Sequence, residues 1–105
     1  MLLVNYFLRE IETYKKDQVR EQTYDKYQAN CRFVAENFPN LILEKMTADD
    51  YQQVLNKYAE TREKATVIDF HHQLSWALKR AYNADGLLKR DVTFDAKIPR
   101  GKPPG

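Results

Sequence analysis

The chain has 105 residues, 43% of them hydrophobic and 30% charged, with a net charge of +2 at pH 7. That length suits one domain burying roughly two-thirds of its unfolded surface, and so small a net charge excludes attraction of an anionic partner by bulk charge, leaving only the distribution of charge to serve. The single cysteine, Cys31, excludes an internal disulfide, and no apolar run approaches the ~20 residues that span a bilayer. Met1-Leu2-Leu3-Val4 is too short for a signal peptide's apolar stretch, so a soluble, unprocessed, cytoplasmic chain without membrane attachment is expected.

Residues 2–16 place Leu3, Tyr6, Phe7, Glu10, Ile11 and Tyr14 at three- and four-residue spacing, a helical stripe that is apolar apart from Glu10. The run 15–22 loses that period and reads as a connection. Thr23 has the chemistry of an N-cap, which predicts a second helix over 24–37, ending before Pro39. Tyr24, Tyr27, Cys31, Val34 and Phe38 form its apolar stripe, and Lys26, Asn30, Phe33 and Asn37 its other edge. The short apolar segment Leu41-Ile42-Leu43 is expected to tuck under the core. Thr47-Ala48-Asp49-Asp50 then supplies a cap and acidic residues that complement a helix dipole, opening a third helix over 48–60 that buries Tyr51, Val54, Leu55 and Tyr58.

A charged link, 61–65, leads to Thr66, again placed as an N-cap. With Leu74 pointing inward, Val67, Phe70, Ala77, Leu78 and Ala81 lie within about 60° of it and His71 at the edge of that arc. Ile68, His72, Ser75, Trp76 and Lys79 form the outer side. Gly86 suits a left-handed C-cap, Leu87-Leu88 is expected to fold back onto the core, and 98–105, which holds three of the four prolines, reads as an extended linker. Four helices on short links make an all-α, antiparallel-type bundle over 1–97. A tail ending on Pro103-Pro104-Gly105 suggests a fragment of a longer protein.

His71 and His72 fail as a shared metal site, because adjacent helical residues diverge by about 100° whereas joint ligation uses i, i+4 spacing. No glycine-rich phosphate loop, paired carboxylates or nucleophile with a base stands out, so neither catalysis, a metal nor a cofactor is expected. Nucleic-acid binding needs lysines, hydroxyls and helix N-termini for phosphate and polar side chains for base edges. The second helix offers Gln22, Thr23, Lys26 and Asn30; the fourth offers Lys64, Thr66, His72, Ser75 and Lys79. The same residues also fit an ordinary solvated face. Trp76 and Ile68 beside basic groups fit DNA, or equally a neighbouring protein domain.

The order of these signals resembles the core-binding, SAM-like N-terminal domain of tyrosine recombinases, especially phage and conjugative-transposon integrases. The carrying residues are Gln22-Thr23-Tyr24-x-x-Tyr27, Leu43-x-x-Met46-Thr47-x-x-Asp50, Ala65-Thr66-Val67-Ile68, Leu74-x-x-Ala77-Leu78-Lys79-x-Ala81 and Gly86-Leu87-Leu88, spread over 3–98. The resemblance implies a four-helix orthogonal bundle that closes on the duplex together with a C-terminal catalytic domain. It implies that the second and fourth helices face the DNA, with Thr23, Lys26 and Asn30 on one part of the core site and Thr66, His71, Ser75 and Lys79 on another. It further implies a monomeric, non-catalytic piece of a recombinase that works as an oligomer on DNA in a bacterial host cell. Two departures stand out: Arg90-Asp91-Val92 replaces the family's usual Asn-Pro, and the His-x-x-Arg box is absent, Leu74 and Ser75 standing three residues after the histidines. The expected function is therefore to grip double-stranded DNA at the recombination site. The other reading is a helical protein-interaction module that docks through the Trp76 face.

Overall fold

Four α-helices form where the apolar period is sustained: α1 Leu3–Tyr14, α2 Glu21–Asn37, α3 Ala48–Ala59 and α4 Lys64–Asn83, with a 3-10 turn at Leu43–Lys45. The computed structural model describes residues 1–103. Among these residues the extended segments pair only at two isolated bridges, Leu2 with Ile42 and Glu63 with Gly101. The expected all-α four-helix bundle is the observed fold, with α4 packed against each of the other three helices and α1 also against α2. No helix of the described residues is long and apolar enough to cross a membrane.

Leu3, Tyr6, Phe7 and Ile11 of the α1 stripe are buried as their spacing predicts, Tyr14 at the end of the stripe is exposed, and Glu10 within it is only 3% exposed. A carboxylate removed from water costs several kcal/mol unless it is paired, and Arg80 of α4 supplies the pairing. Its Nε donates to Glu10 Oε1 at 2.8 Å, the Tyr6 hydroxyl, which donates to Asp85 Oδ2 at 2.7 Å, lies 3.2 Å from the same oxygen, and Arg9 Nε lies 3.5 Å from Oε2. Burial, then hydrogen bonding to Asp85, pushes the Tyr6 hydroxyl pKa up, which keeps it a donor. Arg80 also covers the Tyr14 ring at 3.9 Å, so one guanidinium fastens α1 to the C-terminal half of α4.

Two helix starts differ from expectation. Asp17, at φ 63°, turns the chain after α1, and α2 begins at Glu21 with Arg20 as its N-cap, leaving Thr23 inside the first turn. In the same way α4 begins at Lys64 behind Glu63, and Thr66 is its third residue. At Thr47 the cap forms as read: its hydroxyl accepts from Asp50 N at 3.1 Å and Asp50 Oδ2 accepts from Thr47 N at 2.9 Å. The difference at α4 has a visible cause, since Glu63 is held extended by its bridge to Gly101 of the C-terminal segment.

Gly86, at φ 64°, closes α4, and Leu87 N donates to Ala81 O at 2.8 Å as the chain folds back to bury Leu88 and Val92. Gln52 of α3 then exchanges two 2.8 Å hydrogen bonds with the backbone of Lys97. The run expected to be a linker is extended but tied to the body, because Lys102 N donates to Arg62 O at 2.6 Å. Residues 104 and 105, the end of that expected linker, lie outside the described residues. Gly101 permits the tie: at φ 75° a Cβ there would lie 2.6 Å from Arg62 O and 2.9 Å from Lys64 N.

Replacing Arg80 with methionine should lower stability by about 2 kcal/mol, below the roughly 3–5 kcal/mol for a wholly buried pair because the arginine is part exposed. Urea midpoints at unchanged slope measure this, and a loss under about 0.5 kcal/mol, the level of an ordinary surface substitution, would contradict the role given to the pair. Gly101→Ala should release the tail, speeding hydrogen exchange at the Lys102 amide by about tenfold for a left-handed strain of about 1–2 kcal/mol, while amides inside α4 stay protected. Unchanged protection at Lys102 would show that the tie does not depend on glycine.

Candidate nucleic-acid interface

Along α2, Lys26, Ala29 and Asn30 face Thr66, Asp69, Phe70 and Gln73 of α4 across a cleft of about 180 Å³. Its base is aromatic. Tyr58 of α3 stacks on Phe70 with ring centres 3.9 Å apart and planes at 8°, and Phe33 of α2 meets both edge-on at 5.0 and 5.5 Å. The spacing along α2 puts Phe33 on the edge opposite the apolar stripe, but the ring is buried against Tyr58 and Phe70.

Above the aromatic base lies a polar layer. The Tyr58 hydroxyl donates to Asn30 Oδ1 at 3.5 Å, and Asn30 Nδ2 donates to Gln73 Oε1 at 2.6 Å. Asn30 was expected on an exposed edge but is 7% exposed; hydrogen-bonded partners on α3 and α4 are what permit a buried amide there. Lys26 and Thr66 stand exposed on opposite rims, with Asp69 beside them as the one acidic group of the cleft. Neither Arg20 nor Glu63 caps its helix through a side chain, so first-turn N–H groups at the starts of α2 and α4 remain available to solvent or to an anion.

At the start of α4, Lys64 shares a second hollow, of about 450 Å³, with Glu63, Ala65, Arg100, Gly101, Lys102 and Pro103. The tied tail thus brings two further cations next to Lys64. Gln22 is exposed and Thr23 half-buried in the first turn of α2.

The remaining expected residues lie elsewhere. His72 and Lys79 are exposed on the outer side of α4, about 100° and 120° around the axis from Gln73. Ser75, expected beside them, is 5% exposed, and its hydroxyl donates to His72 O within the helix at 3.3 Å; serine can enter an apolar face because it satisfies itself this way. His71 turns toward α3, with Nδ1 2.7 Å from the Tyr51 hydroxyl. Burial, then the charges of His72 and Lys79, lowers the His71 pKa from its usual 6.5, and burial followed by the Asp91 charge raises that of Tyr51. The two rings thus share a hydrogen bond whose direction follows the imidazole tautomer, and the Tyr51 hydroxyl also reaches His71 O at 3.4 Å. Among the described residues no group of three or more His, Cys, Asp or Glu side chains could hold a metal ion.

Trp76 also departs from its expected exposure. It is half-buried, edge-on to Tyr14 at 6.5 Å and Tyr27 at 6.1 Å, with Lys15 Nζ 4.3 Å above its ring. Its aromatic surface is used inside the chain, where α1, α2 and α4 meet. Sequence reading missed Gln73, whose polar character on the α2-facing side of α4 was the available signal, and the second role of Tyr58, which had been assigned to packing alone.

Helix order, the capping box before α3 and the cleft between α2 and α4 give the architecture of a SAM-like core-binding domain. The chain is similar to the N-terminal domain of the prophage pi2 protein 01, an integrase from Lactococcus lactis, whose crystal structure it matches with 30% sequence identity and a TM-score of 0.85 over 93% of this chain and 95% of that one. No family model matches the sequence, and no curated protein does. On this likeness the chain belongs to the N-terminal, core-binding domains of phage and prophage integrases. The match is to an N-terminal domain, in keeping with the expectation that the chain is the non-catalytic piece of an integrase.

Because His71 is held neutral, the unfolded chain binds the extra proton first. Stability is then complete above the unfolded histidine pKa of about 6.5 and declines as pH falls through the lower folded value. Urea midpoints at pH 7.5 and pH 5 should differ more for the unaltered chain than for His71→Gln, and an equal pH response in both would contradict the assignment.

Proposed function

We propose that the chain grips double-stranded DNA at the core recombination site of a phage or mobile element. The observation that carries this reading is the cleft between α2 and α4, which gathers Lys26, Asn30 and Thr66 from distant parts of the sequence. Lys26, Thr66, Lys64 and the open first turns of α2 and α4 supply phosphate contacts, which fix register without reading sequence. The polar groups of the cleft supply the chemistry for base edges. In this reading a catalytic domain that follows in the same protein closes on the other side of the duplex. The whole protein is a tyrosine recombinase, oligomeric on DNA in a bacterial cell, while this domain is monomeric by itself and leaves strand cleavage to its partner domain. The competing reading, protein docking through Trp76, loses its main support because that ring is occupied by Tyr14, Tyr27 and Lys15.

Affinity for duplex DNA should fall steeply with salt, with a log–log slope of about −0.9 for each phosphate neutralised. Lys26→Ala and Lys64→Ala should each reduce the magnitude of that slope by about 1, whereas Lys79→Ala, outside both the cleft and the hollow at the start of α4, should leave it unchanged. Fluorescence anisotropy over a salt series measures all three. Salt-insensitive binding, or slopes unaffected by Lys26→Ala and Lys64→Ala, would contradict the proposed grip.

A further inference from the structure

We infer that Gln73 is a base-reading residue which favours guanine over adenine, because Tyr58 and Asn30 hold its amide with the N–H₂ end outward. This inference rests on the DNA-gripping reading above. It follows from the direction of the hydrogen bonds under the cleft. Arg62 lies over the Tyr58 ring, its guanidinium carbon 4.6 Å from the ring centre. Below that face-on cation the Tyr58 hydroxyl donates its proton to Asn30 Oδ1, 3.5 Å away. The hydroxyl pKa agrees, burial raising it and the charge and hydrogen bond of Arg62 partly offsetting the rise.

With its carbonyl engaged by Tyr58, Asn30 presents Nδ2 to Gln73 and donates to Oε1 at 2.6 Å. The inward end of Gln73 is thereby its acceptor. Oε1 keeps a second lone pair but is turned to Asn30, so the end of the amide presented to a ligand in the cleft is Nε2, with two donors. The usual glutamine pairing with adenine needs both ends of the amide, one to accept from N6 and one to donate to N7. Here that pairing is obstructed. Guanine offers only acceptors, N7 and O6, at the same place in the major groove, and it fits the donor end that Gln73 displays. Asn30 and Tyr58 are positioning residues in this scheme, and Lys26 and Thr66 on the rims hold the backbone.

The test is selection of preferred sites from a randomised DNA duplex pool by the 105-residue chain and by Gln73→Met and Tyr58→Phe. In the unaltered chain one position should favour guanine over adenine by roughly tenfold, within the range of a single good base contact. Gln73→Met should flatten that position and leave the others as they were. Tyr58→Phe, which keeps the ring stack but frees the Asn30 amide to turn, should weaken the preference at the same position, and a purely structural role would not move a base preference. Selection of sites with the guanine preference intact in Gln73→Met, or an equal loss at every position, would overturn the inference and leave the DNA grip standing. Absence of any salt-sensitive duplex binding by the unaltered chain would overturn the grip and, with it, this inference.

Discussion

The stack of Tyr58 on Phe70, 3.9 Å between centres and nearly parallel, is the contact on which the functional half of the molecule depends. It joins α3 to α4, receives Phe33 of α2 edge-on, and so fixes three helices at one point. Aromatic pairs contribute about 0.5–1.5 kcal/mol each beyond the area they bury, and three such contacts share these rings. The same rings form the base of the α2–α4 cleft, and the Tyr58 hydroxyl reaches Asn30. Packing and site geometry are therefore two results of one arrangement: what holds the helices together also sets the distance and polarity across the cleft.

α1 contributes nothing to the cleft lining, yet it steadies α4 along its length. Near the C-terminal end of that helix the Glu10–Arg80 pair binds it to α1, and midway Trp76 meets Tyr14, Tyr27 and Lys15. At its start the tail is fastened through Gly101 and Lys102. A helix held at three levels presents Thr66 and Gln73 on a fixed line, which is what recognition by a few side chains requires. The tail tie also keeps Arg100 and Lys102 beside Lys64 and concentrates positive charge at one end of α4, although the whole chain carries only +2.

Much of this was legible in the sequence because period and volume act locally. Tyr51, Val54, Leu55 and Tyr58 fall on one face of α3, Val67, Phe70, Leu74, Ala77, Leu78 and Ala81 on one face of α4, and all are buried. Thr47 was readable as a cap because its reciprocal partner Asp50 lies three residues on. Thr23 and Thr66 were misread because capping is a preference of about 1 kcal/mol and the backbone at Glu63 is set by Gly101, distant in the sequence. Asn30 and Ser75 were misread for another reason: whether a polar group is buried depends on finding a partner, and neither Gln73 nor the carbonyl of His72 announces itself by spacing. Trp76 drew attention as an exposed aromatic because its neighbours come from two other helices. The candidate site was thus half legible: its helices and rim cations were, its polar layer was not.

In the proposed grip the domain holds a duplex without cutting it, phosphates meeting Lys26 and Thr66 on the rims of the cleft and base edges meeting the polar layer beneath. The most direct test of that account is amide chemical-shift mapping of the chain as duplex DNA is added. The account predicts the largest changes at Lys26, Lys64, Thr66 and Gln73 and little change along the α1–α2 groove lined by Val4, Leu8, Cys31 and Ala35. Changes confined to that groove, with the α2–α4 cleft silent, would contradict it.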